Sequence, residues 1–141
     1  MRDSNSKPKP IDSDTKLKKF LDEAGSEGVI YVSFGSAFSA STMSDQKRKI
    51  FLNVFEKLKQ KILLKWETGY MEDRPENVML HKWLPQQDVL GHPNVILFVS
   101  HGGQSSFQET ICHQKPAVSK HICQSTEIGQ WVYIYVTIFF A

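Results

Sequence analysis

Apolar residues in this chain occur in two patterns: short unbroken runs and stripes with helical spacing. After a polar start, Asp14 opens a helical pattern with Leu17, Phe20 and Leu21 on one face, and Gly25 and Gly28 stop it. Val29-Ile30-Tyr31-Val32-Ser33-Phe34 is β-branched and aromatic at nearly every position, which predicts a strand buried on both faces of a parallel sheet. A Ser-rich loop runs from Ser36 to Thr42. Ser44-Asp45 then offers N-caps for a long helix whose stripe is Phe51, Val54, Phe55, Leu58 and Ile62. Further strands are expected at Ile62 to Trp66, Val78 to Leu80 and Val95 to Val99. The last is the most apolar run and the best candidate for a central strand. A short helix begins at Pro85 and ends at Gly91-His92-Pro93, and Ser105 or Ser106 can cap another that reaches about His113. Strands alternating with helices predict an α/β fold, a Rossmann-like parallel sheet with helices on both faces. Ligands bind such sheets outside the carboxyl ends of the strands. Two small-residue loops fall there: Phe34-Gly35-Ser36 and Ser100-His101-Gly102-Gly103.

Composition narrows the possibilities. In 141 residues, 17 Lys+Arg against 15 Asp+Glu give a net charge of +2, with 40% hydrophobic and 23% charged residues. That is ordinary globular composition and argues against collagen-like, strongly disordered or disulfide-framework chains. The basic residues Lys47, Arg48, Lys57, Lys59 and Lys61 decorate one amphipathic helix, which reads as a solvated surface and speaks against nucleic acid as a partner. Cys112 and Cys123 lack CxxC spacing and read as free thiols despite the nearby His113 and His121, so no metal is expected. No apolar run is long enough for a membrane helix, and Met1 to Pro10 contains no signal-peptide core.

The candidate chemistry lies between Val95 and Glu109. Glycines after a buried strand let backbone approach a ligand, and the next helix N-terminus offers free N–H groups and partial positive charge. His101, Ser105 and Ser106 add donors suited to phosphate. Glu109, one turn into the helix, can accept two hydroxyl hydrogen bonds such as a ribose diol offers. Trp83-Leu84-Pro85-Gln86 sets an aromatic plane and an amide before a helix, able to stack on a base and bond its edge. Blander alternatives stand beside each of these. Ser106-x-x-Glu109 is also a capping box, His101 a satisfied loop histidine, Trp83 a core aromatic and Gln86 a surface helix start.

Taken together, Val29 to Ser36 (VIYVSFGS), Trp83 to Gln86 (WLPQ) and Phe98 to Gly103 (FVSHGG), with Ser106, Glu109 and Pro116, resemble the donor-binding half of UDP-glycosyltransferases. The likeness is strongest to the animal UDP-glucuronosyl/UDP-glucosyltransferase group, and it covers about residues 7–116. The resemblance implies one incomplete half of a two-domain GT-B fold. It divides the chain into a linker at 1–13, a UDP-sugar donor-binding domain at 14–118 and a divergent apolar tail at 119–141. It implies that Trp83 stacks on uracil and Gln86 contacts uracil or ribose. Glu109 would hold the ribose hydroxyls, and Ser36, His101, Gly103 and Ser106 the diphosphate. The implied reaction is metal-independent, inverting transfer of a sugar from UDP-sugar to a small lipophilic acceptor. No separate cofactor is needed, and the catalytic base belongs to an amino-terminal domain.

The chain departs from that pattern. It begins where the inter-domain linker normally ends, and Ser125 and Thr126 fall where the family has an Asp-Gln pair for the sugar hydroxyls. It closes on the apolar stretch Trp131 to Ala141, which either packs as a substitute strand or lies exposed, and whose uncharged, proline-free residues carry an aggregation signature. A truncated gene product or a misread exon boundary is the expectation. As an isolated chain it is expected to be inactive. Alternatives are the donor-binding subunit of a split glycosyltransferase completed by a partner chain, and a non-catalytic nucleotide-sugar binder that dampens full-length relatives. A UDP-sugar epimerase of similar fold is a further one. Full-length animal relatives are endoplasmic reticulum membrane proteins, so no location is assigned from this chain alone.

Overall fold

The computed structural model describes residue 11 and residues 14–34, 43–100, 104–122 and 132–137, with backbone alone at 104–107, 119–122 and 132–137. The strands are β1 (Val29–Ser33), β2 (Lys61–Lys65), β3 (Val78–His81), β4 (Val95–Ser100), β5 (Ala117–Ile122) and β6 (Val132–Thr137). The helices are α1 (Thr15–Asp22), α2 (Asp45–Glu56), α3 (Gln86–Gly91) and α4 (Gln104–Cys112). One sheet holds the strands in the order β3-β2-β1-β4-β5-β6. Strands β1 to β5 pair in parallel and β6 runs antiparallel to β5. This is the doubly wound α/β order, which reverses direction between β1 and β4.

All five residues of β1 are buried, which explains why they read as an unbroken apolar run. Val29 and Tyr31 enter one core with Leu17 and Leu21 of α1, Val89 and Leu90 of α3, and Phe98. Ile30 and Val32 enter the other with Leu52 and Phe55 of α2, Trp66 and Met71. Helices therefore cover both faces of the sheet.

The helix starts follow their capping chemistry. Asp14 Oδ1 accepts from the amides of Lys16 and Leu17 at 3.2 and 3.1 Å. Its other oxygen meets His81 Nε2 at 2.8 Å, tying α1 to the end of β3. That bond, ahead of the backbone amides, holds the Asp14 carboxyl below the usual carboxylate range. Ser44 Oγ accepts from Lys47 N at 3.4 Å at the start of α2.

Three expectations change. The α2 stripe ends early: Lys57 is the C-cap, Ile62 belongs to β2, and Val54 is 52% exposed. Apolar spacing continues through the turn after Glu56, but the helix does not, and Asn77 binds carbonyls in its last turn and just beyond it. The Asn77 amide nitrogen donates to Phe55 O at 2.8 Å, Leu58 O at 3.2 Å and Gln60 O at 3.1 Å. Asn77→Ala is expected to cost about 1–2 kcal/mol by orphaning these groups, measured as a fall in the thermal midpoint. An unchanged midpoint would show that water replaces the side chain.

Second, β4 is central in the sheet and meets both cores, Val95 and Phe98 in one and the partly buried Leu97 and Val99 against the other, but its apolar run is not wholly covered: Ile96 is 43% exposed. Ile96 instead lies over Gly28, where φ is +80° and an added Cβ would come within 2.7 Å of Ile96 Cγ2. Third, α4 begins at Gln104, so Ser105 and Ser106 lie inside its first turn and do not precede it. The tail resolves in favour of a strand at the backbone level: β6 pairs with β5 from Ala117↔Thr137 to Ile122↔Val132.

Candidate functional site

The strand order reverses between β1 and β4, and sheets of this kind bind ligands outside the carboxyl ends at that switch point; Ser33 and Ser100 pair in register there and are both buried. Four segments converge on it. The strand β1 brings Tyr31 and Ser33, the approach to α3 brings Trp83, the first residue of α3 is Gln86, and α4 carries Glu109. Alternation along β1 aims Tyr31 to the α3 side, where its ring stacks on Phe98 with centroids 4.9 Å apart and planes at 20°.

From that position the Tyr31 hydroxyl donates to Gln86 Oε1 at 3.1 Å. The Gln86 amide nitrogen in turn donates to Glu109 Oε2 at 2.7 Å, a short, charge-assisted hydrogen bond. Burial pushes the Tyr31 hydroxyl well above the usual tyrosine range. A hydrogen bond with the Ser33 side chain works against that shift, and the nearby Glu109 charge adds to it. The hydroxyl is therefore a neutral donor at physiological pH. Gln86 engages Glu109 through Oε2, and the carboxylate's other oxygen, Oε1, has the chemistry to accept from a further donor.

Trp83 is not a core aromatic: it is 57% exposed, with Lys65 Nζ 4.8 Å from its ring centroid. Nor is Gln86 a plain surface helix start, since its side chain is held at both ends. With α4 starting at Gln104 and the Glu109 carboxylate engaged by Gln86, the capping-box alternative loses its geometry. Ser106 lies on the first turn of α4 by its backbone. Ser36, His101, Gly103, Ser125 and Thr126 lie outside the described residues. Tyr31 and Ser33 were missed as site residues. Their one signal is a hydroxyl pair at alternate positions of an otherwise aliphatic strand. Cys112 is an exposed free thiol, and among the described residues no group of three His, Cys, Asp or Glu could hold a metal.

The fold is a Rossmann-like α/β domain, and comparison with known proteins gives its family. A family model described as UDP-glucoronosyl and UDP-glucosyl transferase matches residues 3–123. UDP-glycosyltransferase UGT5 of Dactylopius coccus is 40% identical over 102 residues, 72% of this chain and 19% of that protein. UDP-glucuronosyltransferase 2B19 of Macaca fascicularis is 34% identical over 103 residues, 73% of this chain and 19% of its own length. A UGT transferase from Siraitia grosvenorii, solved in complex with UDP, superposes with a TM-score of 0.64 at 20% identity, covering 79% of this chain and 29% of that one. That likeness shows the fold, the α/β architecture of GT-B glycosyltransferases. The chain belongs to the UDP-glucuronosyl and UDP-glucosyl transferase family. It spans about a fifth of the length of the curated relatives it matches. No helix among the described residues is long and apolar enough to cross a membrane.

Proposed function

We propose that this chain forms the nucleotide-sugar donor site of a UDP-glycosyltransferase. The observation that carries the reading is the Gln86–Glu109 pair, fixed at 2.7 Å beside the switch point of a sheet whose family uses UDP-sugars. In this reading Glu109 accepts the ribose hydroxyls, and Gln86 contacts the ribose or uracil edge. The exposed face of Trp83 stacks on uracil. Ser36, His101, Gly103 and Ser106 donate to the diphosphate, aided by the amides at the start of α4. The complete enzyme transfers a glycosyl group to a small lipophilic acceptor with inversion and without a metal. No residue of this chain is assigned as the acceptor base.

Domain roles follow the same reading: residues 14–118 carry the donor site, with 1–13 as linker and 119–141 as an appended tail. UDP titrated into the folded chain by calorimetry is expected to bind with a Kd below millimolar. A folded chain that shows no binding at millimolar UDP would refute the reading.

A further inference from the structure

We infer that Tyr31 is a positioning residue for ribose recognition, acting through Gln86 on Glu109; this rests on the donor-site reading above. The chain of contacts has a direction. The Tyr31 hydroxyl donates to Gln86 Oε1, and Gln86 Nε2 donates to Glu109 Oε2. An amide side chain presents an oxygen at one end and donors at the other, and nothing in its shape tells the two apart. Here both neighbours decide it. The buried, neutral Tyr31 hydroxyl offers a proton and the Glu109 carboxylate offers only acceptors, so the Gln86 NH2 must face Glu109.

The consequence falls on the carboxylate. With Oε2 held by Gln86, the plane of the Glu109 carboxylate is fixed and Oε1 is directed to accept from a ligand hydroxyl. Without the Tyr31 proton, the Gln86 amide loses the donor that holds its oxygen away from the carboxylate, and the hold on the carboxylate's orientation weakens. Tyr31 itself is fully buried and stacked on Phe98, so it is held too rigidly to follow the ligand. It sets geometry and touches no substrate. Hydrogen bonds in such a row polarise one another, so each member strengthens the next.

The test compares UDP with 2′-deoxy-UDP by calorimetry on the full chain. In the wild type, UDP is expected to bind about tenfold more tightly than the deoxy nucleotide, the scale of one hydrogen bond to a charged group. Tyr31→Phe, which keeps the ring stack, is expected to lower UDP affinity to near that of the deoxy nucleotide while changing deoxy binding less than about twofold. A merely structural loss would weaken both nucleotides alike and leave their ratio unchanged. Tyr31→Leu, which likewise lacks the hydroxyl, is expected to move the ratio in the same direction, and it stands as the second variant if Tyr31→Phe folds poorly. A wild-type chain that does not distinguish the two nucleotides overturns the donor-site reading itself. A wild-type chain that distinguishes them, with a ratio unmoved in every variant that folds, overturns only the role of Tyr31.

Discussion

Phe98→Ala is expected to remove about 3–5 kcal/mol of stability, the range for deleting a fully buried phenylalanine. Phe98 sits on β4 at the centre of the sheet with none of its surface exposed, opposite Tyr31 in register and stacked on its ring. Its removal forfeits the burial of a whole ring and leaves a cavity between the sheet and the helices on that side, where the close-packed wall cannot collapse freely. A domain of this size has about 5–15 kcal/mol in total, so the variant should sit near the edge of folding. Urea unfolding followed by tryptophan fluorescence and circular dichroism reads the change as a lower midpoint with an unchanged slope. A loss under about 1 kcal/mol would mean that the space refills, and that β4 is less central to the core than its burial indicates.

Glu109→Ala is expected to weaken UDP binding about 10- to 100-fold, since each hydrogen bond to a charged acceptor is worth about 1.5–3 kcal/mol. The same substitution should change stability by less than about 1 kcal/mol, because Glu109 lies well inside α4 and does not cap it. The two measurements separate the roles directly. Unaltered UDP affinity with a large fall in thermal midpoint would return Glu109 to a structural part. Loss of affinity with an intact fold assigns it to the ligand. Glu109→Gln, which keeps the shape and half of the acceptor capacity, should fall between wild type and alanine.

Much of the architecture was legible because each central element carries its own period. The strand β1 is apolar at almost every position since both faces are covered, and α1 announces itself by Asp14 with Leu17 and Leu21. What was not legible depends on partners distant in sequence. The turn that follows α2 is held by Asn77, which no local spacing reveals. Val54 fits the helical stripe yet faces solvent, while Leu52 and Phe55 are the residues of α2 that enter the core. The strand β5 contains Ser119, Lys120 and His121, poor signals for a parallel strand, and its pairing is fixed by β4 on one side and β6 on the other. In the candidate site, Trp83, Gln86 and Glu109 were readable from motif spacing. Tyr31 was not, because it meets Gln86 across 55 residues of chain and looks like one more core aromatic until the sheet brings them together.

The placement of β1 also orders events in time. Its one edge pairs with residues 61–64, while its other edge waits for residues 95–100, synthesised much later. A parallel βαβ start from β1, α2 and β2, extended by β3, can therefore settle while half of the central strand is still unpaired, a non-local arrangement that slows folding. The row from Tyr31 through Gln86 to Glu109 spans both halves, so it closes only when the late half has docked. On the donor-site reading, a uridine nucleotide held there would bind the finished fold and not its precursors, and by mass action it would draw the chain toward completion. The ligand would then serve as a folding aid as well.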